Sequence, residues 1–181
     1  MNLPTYITGL RVLLIPILVI VYGLPMPGSH WAAALIFVLG GVTDWVDGYL
    51  ARSLGQTSRF GAFLDPVADK LMVVIALVLV IGFNQLHSLV FAVIIIVGRE
   101  IIVSALREWM AELGKRHFVA VNALGKWKTT SQMVAVTLLI LYQPGQTLLL
   151  IIGGVSLYIA AVLTVWSMWL YLRDAWVEIN S

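Results

Sequence analysis

The chain has 181 residues, 61% of them hydrophobic and only 11% charged, with a mean hydropathy of +0.98, whereas ordinary globular domains carry about 25% charged residues. Such a chain belongs in a bilayer, and its eleven Lys and Arg against nine Asp and Glu exclude a bulk-charge case for nucleic acid as a partner. Cysteine is absent, which excludes disulfides, thiolate metal sites and a catalytic thiol.

A membrane-crossing helix needs about 20 mostly apolar residues at about 1.5 Å each. Six such segments fall at residues 6–24, 30–50, 62–83, 87–107, 129–143 and 148–172. They predict an all-α polytopic bundle of six transmembrane helices with an N-terminal amphipathic segment, one domain over residues 1–181. The run Val12 to Leu24 behind Arg11 has the form of a signal-peptide core, but Pro25-Met26-Pro27-Gly28 follows it as a turn, not as a small-residue cleavage site. Gly82-Phe83-Asn84 and Tyr142-Gln143-Pro144-Gly145 punctuate the chain in the same way. Pro66 is tolerated in the first turn of a helix and not deep inside one, so it predicts that the third helix starts near Asp65.

The connections at 25–29, 84–86 and 144–147 contain no Lys or Arg, while the alternate ones hold Arg52 and Arg59, then Lys115, Arg116, Lys126 and Lys128; Arg11 and Arg173 lie near the ends. The positive-inside rule therefore puts both termini and the basic loops in the cytoplasm. Residues 108–128 mix aromatic, acidic and basic side chains and read as a cytoplasmic surface segment, with Trp109 and Trp127 suited to the headgroup zone. Lys115 and Arg116 read as a solvated face touching anionic headgroups.

Four of the five aspartates, Asp44, Asp47, Asp65 and Asp69, lie at cytoplasmic span ends. A charge inside the bilayer costs about 2.5–3.5 kcal/mol on insertion scales and marks function by default. Spacings of three and four put each pair on one helix face, so two helices can share one cage. All-oxygen ligation suits Mg²⁺ or Mn²⁺ and not zinc. His30, His87 and His117 fall outside the cluster. Gly48, Ala51 and Gly61 keep bulk away from the carboxylates, which serves helix packing or phosphate approach equally. Arg52 is suited to hold a phosphate.

The pattern Asp44-x2-Asp47-Gly48-x2-Ala51-Arg52-x8-Gly61-x3-Asp65-x3-Asp69 resembles the complete signature of the CDP-alcohol phosphotransferases. The resemblance extends over nearly the whole chain through Leu3-Pro4-Thr5-x-x-Thr8-x-x-Arg11, the run Gly61 to Lys70, and Arg99-Glu100 through Arg107-Glu108-Trp109. Thr5 stands where many members carry Asn. The resemblance implies that Asp44, Asp47 and Asp65 bind two divalent ions with Asp69, which also serves as base, and that Gly48, Ala51 and Arg52, together with Thr5 and Gly61, meet the CDP part of CDP-diacylglycerol. It further implies a homodimer in a bacterial cytoplasmic membrane, with the site facing the cytoplasm.

The expected reaction is transfer of the phosphatidyl group to a small alcohol with loss of CMP. Glycerol 3-phosphate is the expected acceptor, and its hydroxyl needs a positioned carboxylate to take its proton. Its phosphate calls for further cations, for which Arg107, Lys126 and Lys128 are candidates. Arg99 and Glu100 lie about 10 Å inside the fourth segment by helical rise, where Arg99 either joins the acceptor pocket or braces the bundle. Two alternatives differ in kind: the same chemistry on inositol phosphate, serine or phosphatidylglycerol, and a cation transporter. Transport needs a polar route across the membrane, and the outer halves of the segments are apolar.

Overall fold

The computed structural model describes residues 3–54, 59–113 and 123–179, with side chains described for 9–43, 46, 64, 67–113, 129–173 and 176. The described residues form six α-helices: α1 (Leu3–Gly23), α2 (Ser29–Leu54), α3 (Arg59–Asn84), α4 (Val90–Glu112), α5 (Ala123–Leu141) and α6 (Thr147–Ile179). A single 3-10 turn, His87–Leu89, leads into α4. Long apolar runs take this form because a helix satisfies its own backbone groups where no water is available.

Local turn chemistry ends the helices. Gly28 and Gly145 adopt φ of 87° and 97°, a region glycine enters without steric cost, and Gln85 adopts 51° between α3 and the 3-10 turn. The turn before α6 is closed by Gln146 N–H donating to the Gln143 carbonyl at 3.0 Å, and Gln143 N–H donating to Gln146 Oε1 at 3.1 Å.

Three helical stretches are long and apolar enough to cross a membrane: Val67–Asn84, His87–Glu112 and Thr147–Arg173. Shorter apolar stretches cover Gly9–Gly23, Ser29–Thr43 and Thr129–Leu141. Leu13, Ile20, Leu35, Val78, Phe91, Ile94 and Val162 are all more than half exposed. A soluble monomer rarely shows so much exposed apolar surface, so these faces meet lipid, and the chain is a polytopic membrane helical bundle.

The chain divides into two compact units, residues 1–86 with 136–153, and residues 87–135 with 154–181. In the first, α1 packs against α2 and α3, and α2 against α3, around buried Leu18, Phe37, Met72, Leu77 and Val80. In the second, Val103, Leu106, Met110 and Tyr171 form a core cluster with Met168 packed against it. Tyr158 of α6 donates to the Ser88 carbonyl.

The expected start of the third helix changes. The third helix begins at Arg59, well before Pro66, and α1 likewise carries Pro16 inside it; membrane helices tolerate an interior proline where neighbours and local adjustment satisfy the freed backbone carbonyl. The residues expected to form an N-terminal amphipathic segment lie within α1, which runs unbroken from Leu3. Within the segment 108–128, α4 continues to Glu112, where Leu113 N–H donates to the Trp109 carbonyl at 3.1 Å, and α5 begins at Ala123, so Lys126 and Lys128 lie on a helix. Lys115, Arg116 and His117 lie outside the described residues.

Candidate active site

One end of the first unit is tied by a small polar and aromatic cluster. Asn84 Nδ2 donates to the Tyr22 hydroxyl at 2.7 Å and to the Val80 carbonyl at 3.1 Å. The Tyr22 ring meets His30 and Phe83 edge-on, with centroids 5.0 and 5.5 Å away. His30 Nδ1–H donates to the Ile140 carbonyl at 2.9 Å, which makes His30 a brace between α2 and α5. The C-terminal ends of α1, α3 and α5 and the start of α2 therefore meet here.

Counting along the helices from this end at 1.5 Å per residue, Asp44 and Asp47 of α2 and Asp65 and Asp69 of α3 lie about 21–29 Å away. All four belong to the opposite end of the unit. The helices that carry them touch close by: a Cβ added at Gly40 would overlap Met72 Sδ and Cε. Asp44 lies four residues after Gly40 and Asp69 three before Met72. Because α2 and α3 run in opposite directions, both aspartates lie about one turn beyond this contact, on the same side of it. Thr43 Oγ1 donates back to the Gly40 carbonyl at 2.7 Å, a bond that bends helices slightly.

Asp69 is exposed, whereas Ala68 beside it is fully buried. The side chains of Asp44, Asp47, Asp65, Thr5, Gly48, Ala51, Arg52, Gly61, Lys126 and Lys128 lie outside the described residues, although each of these positions is helical. Among the described residues no group of three His, Asp or Glu gathers. The donor set still fits a hard divalent cation, being four carboxylates at helical spacing on two packed helices with no imidazole among them. Arg11 is 1% exposed within the first unit, so it is a buried group despite its place near the chain end.

In the second unit Arg99 is 8% exposed. Its Nη1 donates to Glu100 Oε1 at 3.1 Å and its Nη2 to Ser167 Oγ at 3.0 Å, while Ser167 Oγ donates to the Thr164 carbonyl at 3.2 Å. With α4 reaching Glu112, Arg99 sits about 20 Å along the helix from that end. Arg107 is exposed, and its Nη2 donates to the Tyr171 hydroxyl at 3.3 Å. Both guanidiniums stand over the same ring, their Cζ atoms 5.7 Å (Arg99) and 5.4 Å (Arg107) from the Tyr171 centroid. Two of the four cations considered for the acceptor site thus converge on one aromatic side chain.

Gly40, Ser167 and Tyr171 are not singled out by sequence reasoning. The Gly40-Gly41 pair four residues before Asp44 is a usable signal for close helix approach. Ser167 and Tyr171, one helical turn apart on α6, are a weaker one.

A family model describing CDP-alcohol phosphatidyltransferases matches residues 1–166. The chain is 54% identical over 175 residues to the CDP-diacylglycerol–glycerol-3-phosphate 3-phosphatidyltransferase of Haemophilus influenzae, covering 96% of this chain and 93% of that protein. It is 53% identical to the protein of the same name from Escherichia coli K12, covering 96% and 94%. The Yersinia enterocolitica protein of that name is 51% identical over 179 residues, covering 99% and 97%. With its aspartate-bearing helices packed together and its match running almost end to end, the chain belongs to the CDP-alcohol phosphatidyltransferase family.

Proposed function

We propose that the chain transfers the phosphatidyl group of CDP-diacylglycerol to glycerol 3-phosphate, giving phosphatidylglycerophosphate and CMP, as a multi-pass enzyme of the bacterial cytoplasmic membrane. The observation that carries this reading is the 54% identity, over 96% of the chain, to a relative named for that reaction. The reading takes residues 1–181 as one catalytic domain of six spans, the shorter apolar helices crossing with the three long ones. Both termini and the site face the cytoplasm, and the enzyme works as a homodimer.

Asp44, Asp47, Asp65 and Asp69 would hold two Mg²⁺ or Mn²⁺ ions at the turn beyond the Gly40–Met72 contact. When bound, such ions neutralise the diphosphate and stabilise departing CMP. Thr5, Gly48, Ala51, Arg52 and Gly61 receive the CDP part, the small residues admitting the phosphates and Arg52 pairing with one of them. Asp69 takes the proton of the acceptor hydroxyl as its oxygen bonds the phosphorus that carries the diacylglycerol. The bond from that phosphorus to CMP breaks, and CMP leaves with the electron pair. The exposure of Asp69 supports this role, since a base must be reachable by a water-soluble acceptor. Arg107, Lys126 and Lys128 hold the acceptor phosphate; Arg99, less accessible than Arg107, adds further positive charge.

The test is CMP release by the purified protein in detergent with CDP-diacylglycerol and Mg²⁺, offering glycerol 3-phosphate, inositol phosphate, serine or phosphatidylglycerol in turn. Turnover with glycerol 3-phosphate alone is the expected result. Turnover with another acceptor overturns the acceptor assignment, and no turnover with any of them overturns the reaction.

A further inference from the structure

Tyr171 belongs to no part of the signature, yet it is the point at which two acceptor-site cations meet. Its side chain is 8% exposed and packs in the core cluster with Val103, Leu106 and Met110, so the ring cannot follow the ligand. Arg107 is exposed and leans on it by a hydrogen bond to the hydroxyl and by the ring face. Five N–H donors in a fixed fork leave the rest of the guanidinium available once one is used.

Among the described residues the charge around this ring is predominantly positive. Two guanidiniums share it, and the carboxylate of Glu100 pairs with Arg99. Arg99 is further held by Ser167, while no ion pair of Arg107 is found among the described residues. A cation fixed beside another cation favours an anion as its next partner.

We propose that Tyr171 is a positioning residue that aims Arg107 at the acceptor's phosphate and so sets the preference for a phosphorylated over an unphosphorylated alcohol. The inference rests on the acceptor-site reading of Arg107 given above. Tyr171 touches neither substrate; it fixes the direction of the guanidinium before the acceptor arrives, which lowers the ordering cost of binding. The hydroxyl sets the direction, and the ring holds the plane.

The experiment compares Tyr171→Phe, Tyr171→Leu, Arg107→Gln and the Tyr171→Phe/Arg107→Gln pair in the full-length protein, with KM for glycerol 3-phosphate and for CDP-diacylglycerol measured separately. Tyr171→Phe keeps the ring and removes the hydroxyl, so it is expected to raise KM for glycerol 3-phosphate about five- to tenfold. KM for CDP-diacylglycerol should stay unchanged and kcat within about twofold. Tyr171→Leu is expected to raise the acceptor KM further, and the pair to be no worse than Arg107→Gln alone. If Arg107→Gln raises the acceptor KM and Tyr171→Phe does not, the positioning role is overturned while the acceptor site stands. If Arg107→Gln leaves that KM unchanged, the acceptor-site reading falls and the inference with it. Equal loss in kcat and in both KM values for Tyr171→Phe would make Tyr171 merely structural, which also overturns the proposal.

Discussion

Gly40 of α2 lies so close to Met72 of α3 that a methyl group at position 40 would overlap the methionine's Sδ and Cε. The absence of a side chain at Gly40 lets the two aspartate-bearing helices approach one turn from Asp44 and Asp69. Gly40→Ala should cost about 1–3 kcal/mol by overpacking, because Met72 must move aside; Gly40→Leu should abolish activity by spreading the helices. Thermal unfolding in detergent and CMP release check both, and Gly40→Ala should be partly rescued when Met72→Ala is added.

Asp69 is the proposed base as well as a metal ligand. Asp69→Asn keeps the shape and removes the proton acceptor, so kcat should fall about 10²- to 10⁴-fold. CDP-diacylglycerol binding, read by equilibrium retention of the labelled lipid on the immobilised protein, should weaken far less. Chelation should abolish turnover in the wild-type protein, and added Mg²⁺ or Mn²⁺ should restore it.

Ser167 accepts a hydrogen bond from Arg99 at 3.0 Å in a buried setting. Ser167→Ala strands that donor and should cost about 1–3 kcal/mol of stability, seen as a lower unfolding temperature. Ser167→Thr, which keeps the hydroxyl, should recover most of the loss.

At the far end of the first unit, Asn84 ties α3 to the Tyr22 hydroxyl at 2.7 Å. Asn84→Ala should lower stability by about 1 kcal/mol and leave both KM values unchanged, since about 22–29 Å of helix separates it from Asp69 and Asp65. A change in either KM would mean that this end communicates with the site.

Much of the fold was legible because it is written locally. Pro25 to Gly28 and Pro144-Gly145 each carry the turn chemistry that the backbone then adopts, whereas Gly82-Phe83-Asn84, expected as a turn, lies within α3 and the chain turns at Gln85 instead; apolar length announces α3, α4 and α6. The aspartate pairs were legible for the same reason, since helical period alone relates positions three and four apart. Tertiary packing was not legible. Arg11 looks like a charge near the chain end until α1 is packed against α2 and α3, and Tyr171 looks like an ordinary interfacial aromatic until α4 brings Arg99 and Arg107 over its ring. The start of α3 was misplaced because Pro66 argues for a boundary, whereas the backbone continues through it from Arg59.

The central claim is that the phosphatidyl group passes to glycerol 3-phosphate. Its most direct test supplies radiolabelled glycerol 3-phosphate and CDP-diacylglycerol to the purified protein and measures label entering the organic phase alongside released CMP. One labelled lipid phosphate formed per CMP released, with none from Asp69→Asn, is the predicted result; CMP released without label entering lipid would contradict it.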